Sequence, residues 1–389
     1  MKLEPFALER WMTTWETVVQ FDIAESGMYP LTTGELLDLL PAETRASTLD
    51  EILDLRLGYT EARGTAALRS ELAKTYDRVS PDEILVTTGA IEANFLLFTT
   101  LLKEGDHVVA VYPAYQQLYG VAQAMACDVT PWRITRDSGR FWFDVDELER
   151  LLRPDTKMIV INTPHNPTGA ILSHEELERI YQIAETIGAM VLSDEAYRWL
   201  DLPQGPDLAP PMRNLGPAAI SVGTVSKPFG LPGLRIGWIA ATEELAHACW
   251  STRDYISLSP GGISDYLARV ALQHRDAIIA RNHAIVDSNL RAADSWFREH
   301  SDLVSWDRPR GGLLALVRYT ADLPSSKLAD LLAAQHSVML APGSTFGYEN
   351  HLRIGIGQRS DIFDEGLRRA AMCLRTLSDS RLQQAAYVS

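Results

Sequence analysis

The sequence predicts an α/β protein: a large domain on a mostly parallel, doubly wound sheet, plus a smaller α+β domain. Three observations carry that expectation. Short apolar runs alternate with segments of helical period from about residue 65. The runs end in glycine, proline or small polar residues, as strands do where they turn into helices. After about residue 240 the alternation gives way to long helical stretches followed by a few strands.

The elements follow in chain order. "TAALRSELAKTYD" has helical spacing, and "DEILVTTGA" reads as a strand closing in a glycine turn. "IEANFLLFTTLLKEGD" is an amphipathic helix leading into the apolar run "HVVAVYP". "KMIVINTP", "AMVLSDE" and "AAISVGT" are further buried strands. Between them "SHEELERIYQIAETIG" sets Glu176 three residues after Ser173, the spacing of a capping box. A helical stretch then runs from "TEELAHACW" through "ADSWFREH", interrupted near "SLSPGG". A strand pair around "GGLLALVRY", a helix and "HLRIGIG" close the chain. We expect residues 1–50 to form an N-terminal arm and part of the small domain. Residues 51–245 form the large domain, and 246–389 a linking helix and the C-terminal small domain.

Composition excludes several classes. With 36 basic and 51 acidic residues, the net charge of −15 argues against a phosphate-tracking surface, so no nucleic-acid partner is expected. No apolar run is long enough to span a membrane, and the N-terminal stretch is broken by charges rather than shaped as a secretion signal. Three cysteines, Cys127, Cys249 and Cys373, stand far apart without metal spacing, so no metal is expected and a reducing, cytoplasmic compartment is. A dinucleotide glycine fingerprint and a P-loop are both missing from the sequence.

In doubly wound sheets, ligands sit beyond the C-terminal ends of the strands. Polar residues gather at those places. "TTGA" opens a helix at Gly89, Ala90 and Ile91, where free N–H groups suit a phosphate. "VYPAYQQ" brings Tyr115, "NTPHNPTG" brings Asn166, and "VLSDEAY" brings Asp194. Each alone has a plainer explanation: a turn, a core aromatic, a cap. The stretch "SVGTVSKPFGLPGLRIGW" sets Lys227 between an apolar strand and a glycine- and proline-rich turn, with Arg235 just beyond, so that either the lysine reaches solvent or its chemistry is the reason for the site. A buried ammonium is costly unless paired or neutralised. Pyridoxal 5'-phosphate (PLP) needs this whole set: a lysine for its aldehyde, an anion for its ring nitrogen, a flat cover, and donors for its phenolic oxygen and phosphate.

Over nearly its full length the chain resembles the class I/II aminotransferases among the fold-type I PLP enzymes. "YTEARGTAALR", "NPTG", "SDEAY", "SKPFGLPGLRIGW" and "HLRIGIG" occur in the family's order. The resemblance implies Lys227 as the Schiff-base lysine and Asp194 as partner of the pyridine nitrogen. It implies Asn166 and Tyr197 on the phenolic oxygen and Tyr115 stacked on the ring. Gly89, Ala90, Ile91, Thr224, Ser226 and Arg235 would surround the phosphate. Tyr59 would reach the phosphate of a neighbouring subunit, implying a homodimer, and Arg353 would clamp the substrate α-carboxylate.

A narrower resemblance links "DIAESGMYPLTTGELLDL", "RDYISLSPGG" and "PRGGLLALVRYTA" to capreomycidine synthase-like, arginine-cyclising PLP enzymes, which expel a side-chain hydroxyl and close a guanidine ring. It places Gly27 and Glu25 with the substrate, the acid suiting a basic side chain, and makes Trp11, Trp15, Tyr29 and Tyr255 further pocket candidates. Tyr197 fits an ordinary aminotransferase, because a phenylalanine can stand there in the cyclising group. Transamination is therefore the leading expectation, and cyclisation or β/γ-elimination the alternative. A non-catalytic PLP-binding regulator would need a DNA-binding arm, for which the chain before residue 59 is too short.

Overall fold

The computed structural model describes residues 1–203 and 205–388, with side chains described as far as Asp379. The chain opens with helix α1 (Ala7–Trp15). Seven strands then form the large sheet: β1 (Ile84–Thr87), β2 (His107–Tyr112), β3 (Asp128–Arg133), β4 (Thr156–Asn162), β5 (Met190–Asp194), β6 (Ala219–Thr224) and β7 (Gly237–Ala240). Their spatial order is β1-β7-β6-β5-β4-β2-β3. Neighbours from β3 through β6 pair in parallel, while β7 runs antiparallel to both β1 and β6.

Met158–Asn162 of β4 and all of β6 are buried without a break, which is why they read as continuous apolar runs rather than alternations. Helix α2 (Gly89–Leu101) follows β1 and packs against β6 and β7. The helix His174–Ile187 starts as expected: the Ser173 hydroxyl accepts from Glu176 N–H, and the Glu176 carboxylate accepts from Ser173 N–H. Gly188, at φ 69°, ends it.

The strand β3 was not expected from the sequence. It lies at the sheet edge, holds Pro131, and buries only Trp132 fully. An edge position tolerates proline and leaves most side chains in water, so the apolar signature is lost. The helical stretch after residue 240 resolves into Glu243–Arg253, Gly262–Gln273 and Arg275–Glu299. A smaller antiparallel sheet follows, of β8 (Val304–Trp306), β9 (Leu314–Tyr319), β10 (Ala341–Pro342) and β11 (His351–Gly355), in the order β8-β9-β11-β10. Phe21–Asp22 pairs in parallel with Val338–Met339, which ties the N-terminal segment to this part of the molecule. Among the described residues no helix is long and apolar enough to cross a membrane.

Candidate functional site

Because β4, β5 and β6 run in parallel, their last residues, Asn162, Asp194 and Thr224, emerge on one edge of the sheet. A cavity of about 360 Å³ opens there. Its floor carries Asn166, Asp194, Tyr197, Thr224, Ser226, Lys227 and Arg235. Its walls add Gly89, Ala90 and Ile91 from the start of α2, Tyr115, and Arg353 from β11.

The start of α2 is shaped for an anion. Thr88 makes no side-chain capping bond to the first turn, which leaves N–H groups there open. Gly89 is at φ 77°, and a Cβ on it would stand 2.7 Å from Nη2 of Arg235. Gly237 is as tightly placed, since a Cβ there would fall 2.4 Å from the Ala90 nitrogen. Glycine at both positions lets a guanidinium and a strand close around the helix start. Arg235 itself takes the left-handed conformation, φ 53°, a strain of order 1–3 kcal/mol of the kind that gathers at binding sites. Beside it the Thr224 hydroxyl donates to Ile236 O and lies 3.0 Å from Ser226 Oγ.

Lys227 Nζ donates to Ser26 Oγ at 2.7 Å and to Glu25 Oε1 at 3.2 Å. Burial pulls the lysine pKa down, but Glu25 and Tyr197 outweigh it and the net shift is upward. The Lys227 charge in turn holds the Glu25 carboxyl below its usual range. Asp194 is fully enclosed, and burial raises its pKa against two hydrogen bonds that support the anion, from Asn94 Nδ2 at 2.8 Å and from Ala196 N–H at 3.0 Å. Arg353 is 1% exposed; its Nη1 donates to Asn166 Oδ1, its Nη2 to Ala24 O, and its Nε is buried without a partner. A buried guanidinium with a spare donor suits an added carboxylate.

Most of the sequence-predicted residues therefore converge. Gly27 does not line the cavity but packs behind Lys227, where a Cβ would touch the lysine Cδ at 3.5 Å. Tyr59 stands away from the cavity and is 91% exposed. Three pocket candidates are corrected. The indole N–H groups of Trp11 and Trp15 both donate to Asp330, and the Tyr29 ring packs against the guanidinium groups of Arg281 and Arg359. Tyr255, like Tyr59, stands exposed outside the cavity of the single chain. Sequence reasoning missed Ser26, Asn94, Glu9 and Glu16, all of which line the cavity. Spacings of three and seven set Glu9, Met12 and Glu16 on one helix face, but nothing in that spacing says the face turns inward.

Fold and cavity together define a class, the fold-type I enzymes whose site is built around a lysine at the strand ends. The chain belongs to the aminotransferase class I and II family, whose profile matches residues 26–369. Capreomycidine synthase from Streptomyces vinaceus is 34% identical over 361 residues, covering 92% of this chain and 91% of that protein. A PLP-dependent aminotransferase from Streptococcus suis superposes with a TM-score of 0.90 at 34% identity, covering 97% and 99% of the two chains. The PLP-dependent cyclase OrfR superposes at 0.87 with 30% identity, covering 97% and 98%. The cofactor of this enzyme is PLP, and the lysine, the buried carboxylate, the glycine-bounded helix start and the spare arginine donor fit it.

Proposed function

We propose that the enzyme transaminates an α-amino acid whose side chain carries a cation. The observation behind the substrate class is the wall opposite the strand ends, where Glu9, Glu16 and Glu25 all line the cavity. Glu25 is at present matched by Lys227. Once that amine is committed to the cofactor, the carboxylate needs another cation, because a half-buried charge without a partner is costly. A guanidinium or ammonium on the substrate supplies it.

In this reading Ala90 and Ile91 N–H, Thr224, Ser226 and Arg235 hold the cofactor phosphate. Asn166 and Tyr197 would hold its phenolic oxygen, Tyr115 would cover its ring, and Asp194 would pair with its ring nitrogen. Bound PLP supplies an electron sink for the pair left at the substrate α-carbon. Arg353 binds the α-carboxylate with Asn166 alongside, fixing which α-bond stands across the ring. Lys227 Nζ moves the α-proton, and Ser26 and Glu25 receive the amine when it is free. The molecule's likeness to capreomycidine synthase and to the cyclase OrfR supports a second reading, in which the same residues carry out elimination with ring closure.

Following the amino group separates the two. Transamination stalls after its first half-reaction unless a keto acid is supplied, with the cofactor left in its amine form. Sustained turnover of a hydroxylated, guanidine-bearing amino acid without any keto acid would replace transamination by cyclisation. Dimerisation belongs to the same proposal. Tyr59, Leu57, Tyr255 and Ile256 form exposed apolar surface on two segments that meet where Thr60 donates to Pro260 O. A second copy covering that face brings its own Tyr59 to the phosphate site. Sedimentation of the holoenzyme at twice the chain mass is expected, and a monomer at full activity would remove Tyr59 from the site.

A further inference from the structure

Asn94 is a single polar residue on an otherwise apolar stretch of α2, among buried Ala93, Leu96, Leu97 and Phe98. It is 1% exposed, and its Oδ1 is buried without any hydrogen-bond partner. A leucine would fill the position without leaving a buried acceptor stripped of water and of any partner. The asparagine therefore needs a reason, and its other atom supplies one. Nδ2 donates to Asp194 Oδ2 at 2.8 Å and stands 3.5 Å from Gln117 Oε1. Gln117 is itself fixed, because its Nε2 donates to Ile91 O. Turning the Asn94 amide over would set its oxygen against a carboxylate and an amide oxygen at once, so the chemistry allows one orientation.

The other Asp194 oxygen is held by Ala196 N–H. Asn94 is thus the one side chain among the described residues that hydrogen-bonds this carboxylate. It lies one helical turn, about 6 Å, beyond Ala90 on the same face of α2. One rigid helix consequently presents both the open N–H groups of its first turn and the donor that grips Asp194.

We propose that Asn94 is a positioning residue that keeps the Asp194 carboxylate ionised and oriented toward the cofactor ring nitrogen, resting on the cofactor placement proposed above. Burial works against the anion, and only two hydrogen bonds oppose it. Tyr115 and Tyr197 also face the carboxylate; burial chiefly raises the pKa of both hydroxyls, and the Asp194 charge adds to it. Without Asn94 the proton shared between ring nitrogen and carboxylate moves toward the carboxylate. The ring nitrogen then loses its proton at lower pH.

The test uses holoenzyme carrying PLP labelled with 15N in its ring, whose chemical shift reports protonation directly. Asn94→Leu is expected to lower the pH midpoint for loss of the ring proton by about one unit, a tenfold fall in proton affinity, and to weaken PLP binding. Asp194→Asn is the reference and should shift the ring nitrogen further. An unchanged midpoint in Asn94→Leu, with only the melting temperature lowered, would make Asn94 a packing residue and overturn the proposal. An unchanged nitrogen in Asp194→Asn would instead overturn the cofactor placement beneath it. Should the leucine variant fail to fold, Asn94→Ala, which only removes atoms, is read in the same way.

Discussion

The floor and the wall of the cavity are built by different means. The floor consists of strand ends and the turns that follow them. Asn162 Nδ2 bonds Asp194 O, Asn166 N–H bonds Asn162 Oδ1, and Glu195 N–H bonds Val222 O, so Asn166 and Asp194 are anchored by the neighbouring strand ends. The wall opposite the strand ends is α1 and the segment 22–26, neither of which belongs to the large sheet. Side-chain contacts hold α1, from Tyr115 OH to Glu9 and Ala7 N–H to Gln116 on one side and from Trp11 and Trp15 to Asp330 on the other. Segment 22–26 is tied to the small domain through Ile23 N–H to Met339 O and Gly355 N–H to Ile23 O. The floor is thus suited to gripping an invariant ligand. The wall can be altered without disturbing the sheet, as is expected of the part that selects among substrates.

That difference yields a paired test. Lys227→Ala removes the reacting amine and should reduce turnover by several orders of magnitude for every substrate alike. Glu25→Gln keeps the shape of the wall and removes one charge. It should lower kcat/KM for a guanidine- or amine-bearing amino acid by roughly 10- to 100-fold, the effect of losing a partly buried charge partner, while changing a neutral amino acid much less. Steady-state kinetics on one cationic and one neutral substrate measure both. Equal losses on the two substrates in Glu25→Gln would mean that Glu25 serves the lysine alone, and the division between floor and wall would fail.

The same division explains what was legible in the sequence. Lys227 could be read because a charge inside an apolar strand–turn unit has few bland explanations. Asp194, Asn166 and Thr224 could be read because parallel strands place their ends together whatever the loops do. Glu9 and Glu16 could not: on an amphipathic helix they look like a solvated face, and only the docking of α1 against Tyr115 and Asp330, more than a hundred and three hundred residues away, turns them inward. Asn94 was hidden for the opposite reason. One asparagine in an apolar helix carries no periodic signal, and its partner lies 100 residues on. The strand β3 was lost to its edge position and its proline.

The smallest expected effect concerns how the wall is held. The Asp22 Oδ1 accepts from Ala24 N–H at 2.8 Å and from Glu25 N–H at 3.0 Å, shaping the segment that carries Ala24 O to Arg353 and Glu25 to Lys227. Burial, reinforced by the Glu25 charge, raises the Asp22 pKa from 3.8 to about 6, against those two N–H bonds and Arg353. The folded protein therefore binds this proton more tightly than the unfolded chain. Between pH 3.8 and about 6 the folded state holds more protons, so this group lowers stability as pH rises, by at most about 1.4 kcal/mol per pH unit. Below that window the carboxyl is protonated in both states and contributes no slope; above it the cost is fully present. Asp22→Asn keeps an acceptor for both N–H groups and removes the titration. Denaturant unfolding of the variant should accordingly show a stability that falls less, or rises more, than the natural protein's across the window. An identical slope in the two proteins would mean that Asp22 titrates as an ordinary surface acid. The Asp22 carboxylate would then add nothing to the backbone bonds that already tie Ile23 to Met339 and Gly355, and the wall would lose the side-chain support that sets it apart from the floor.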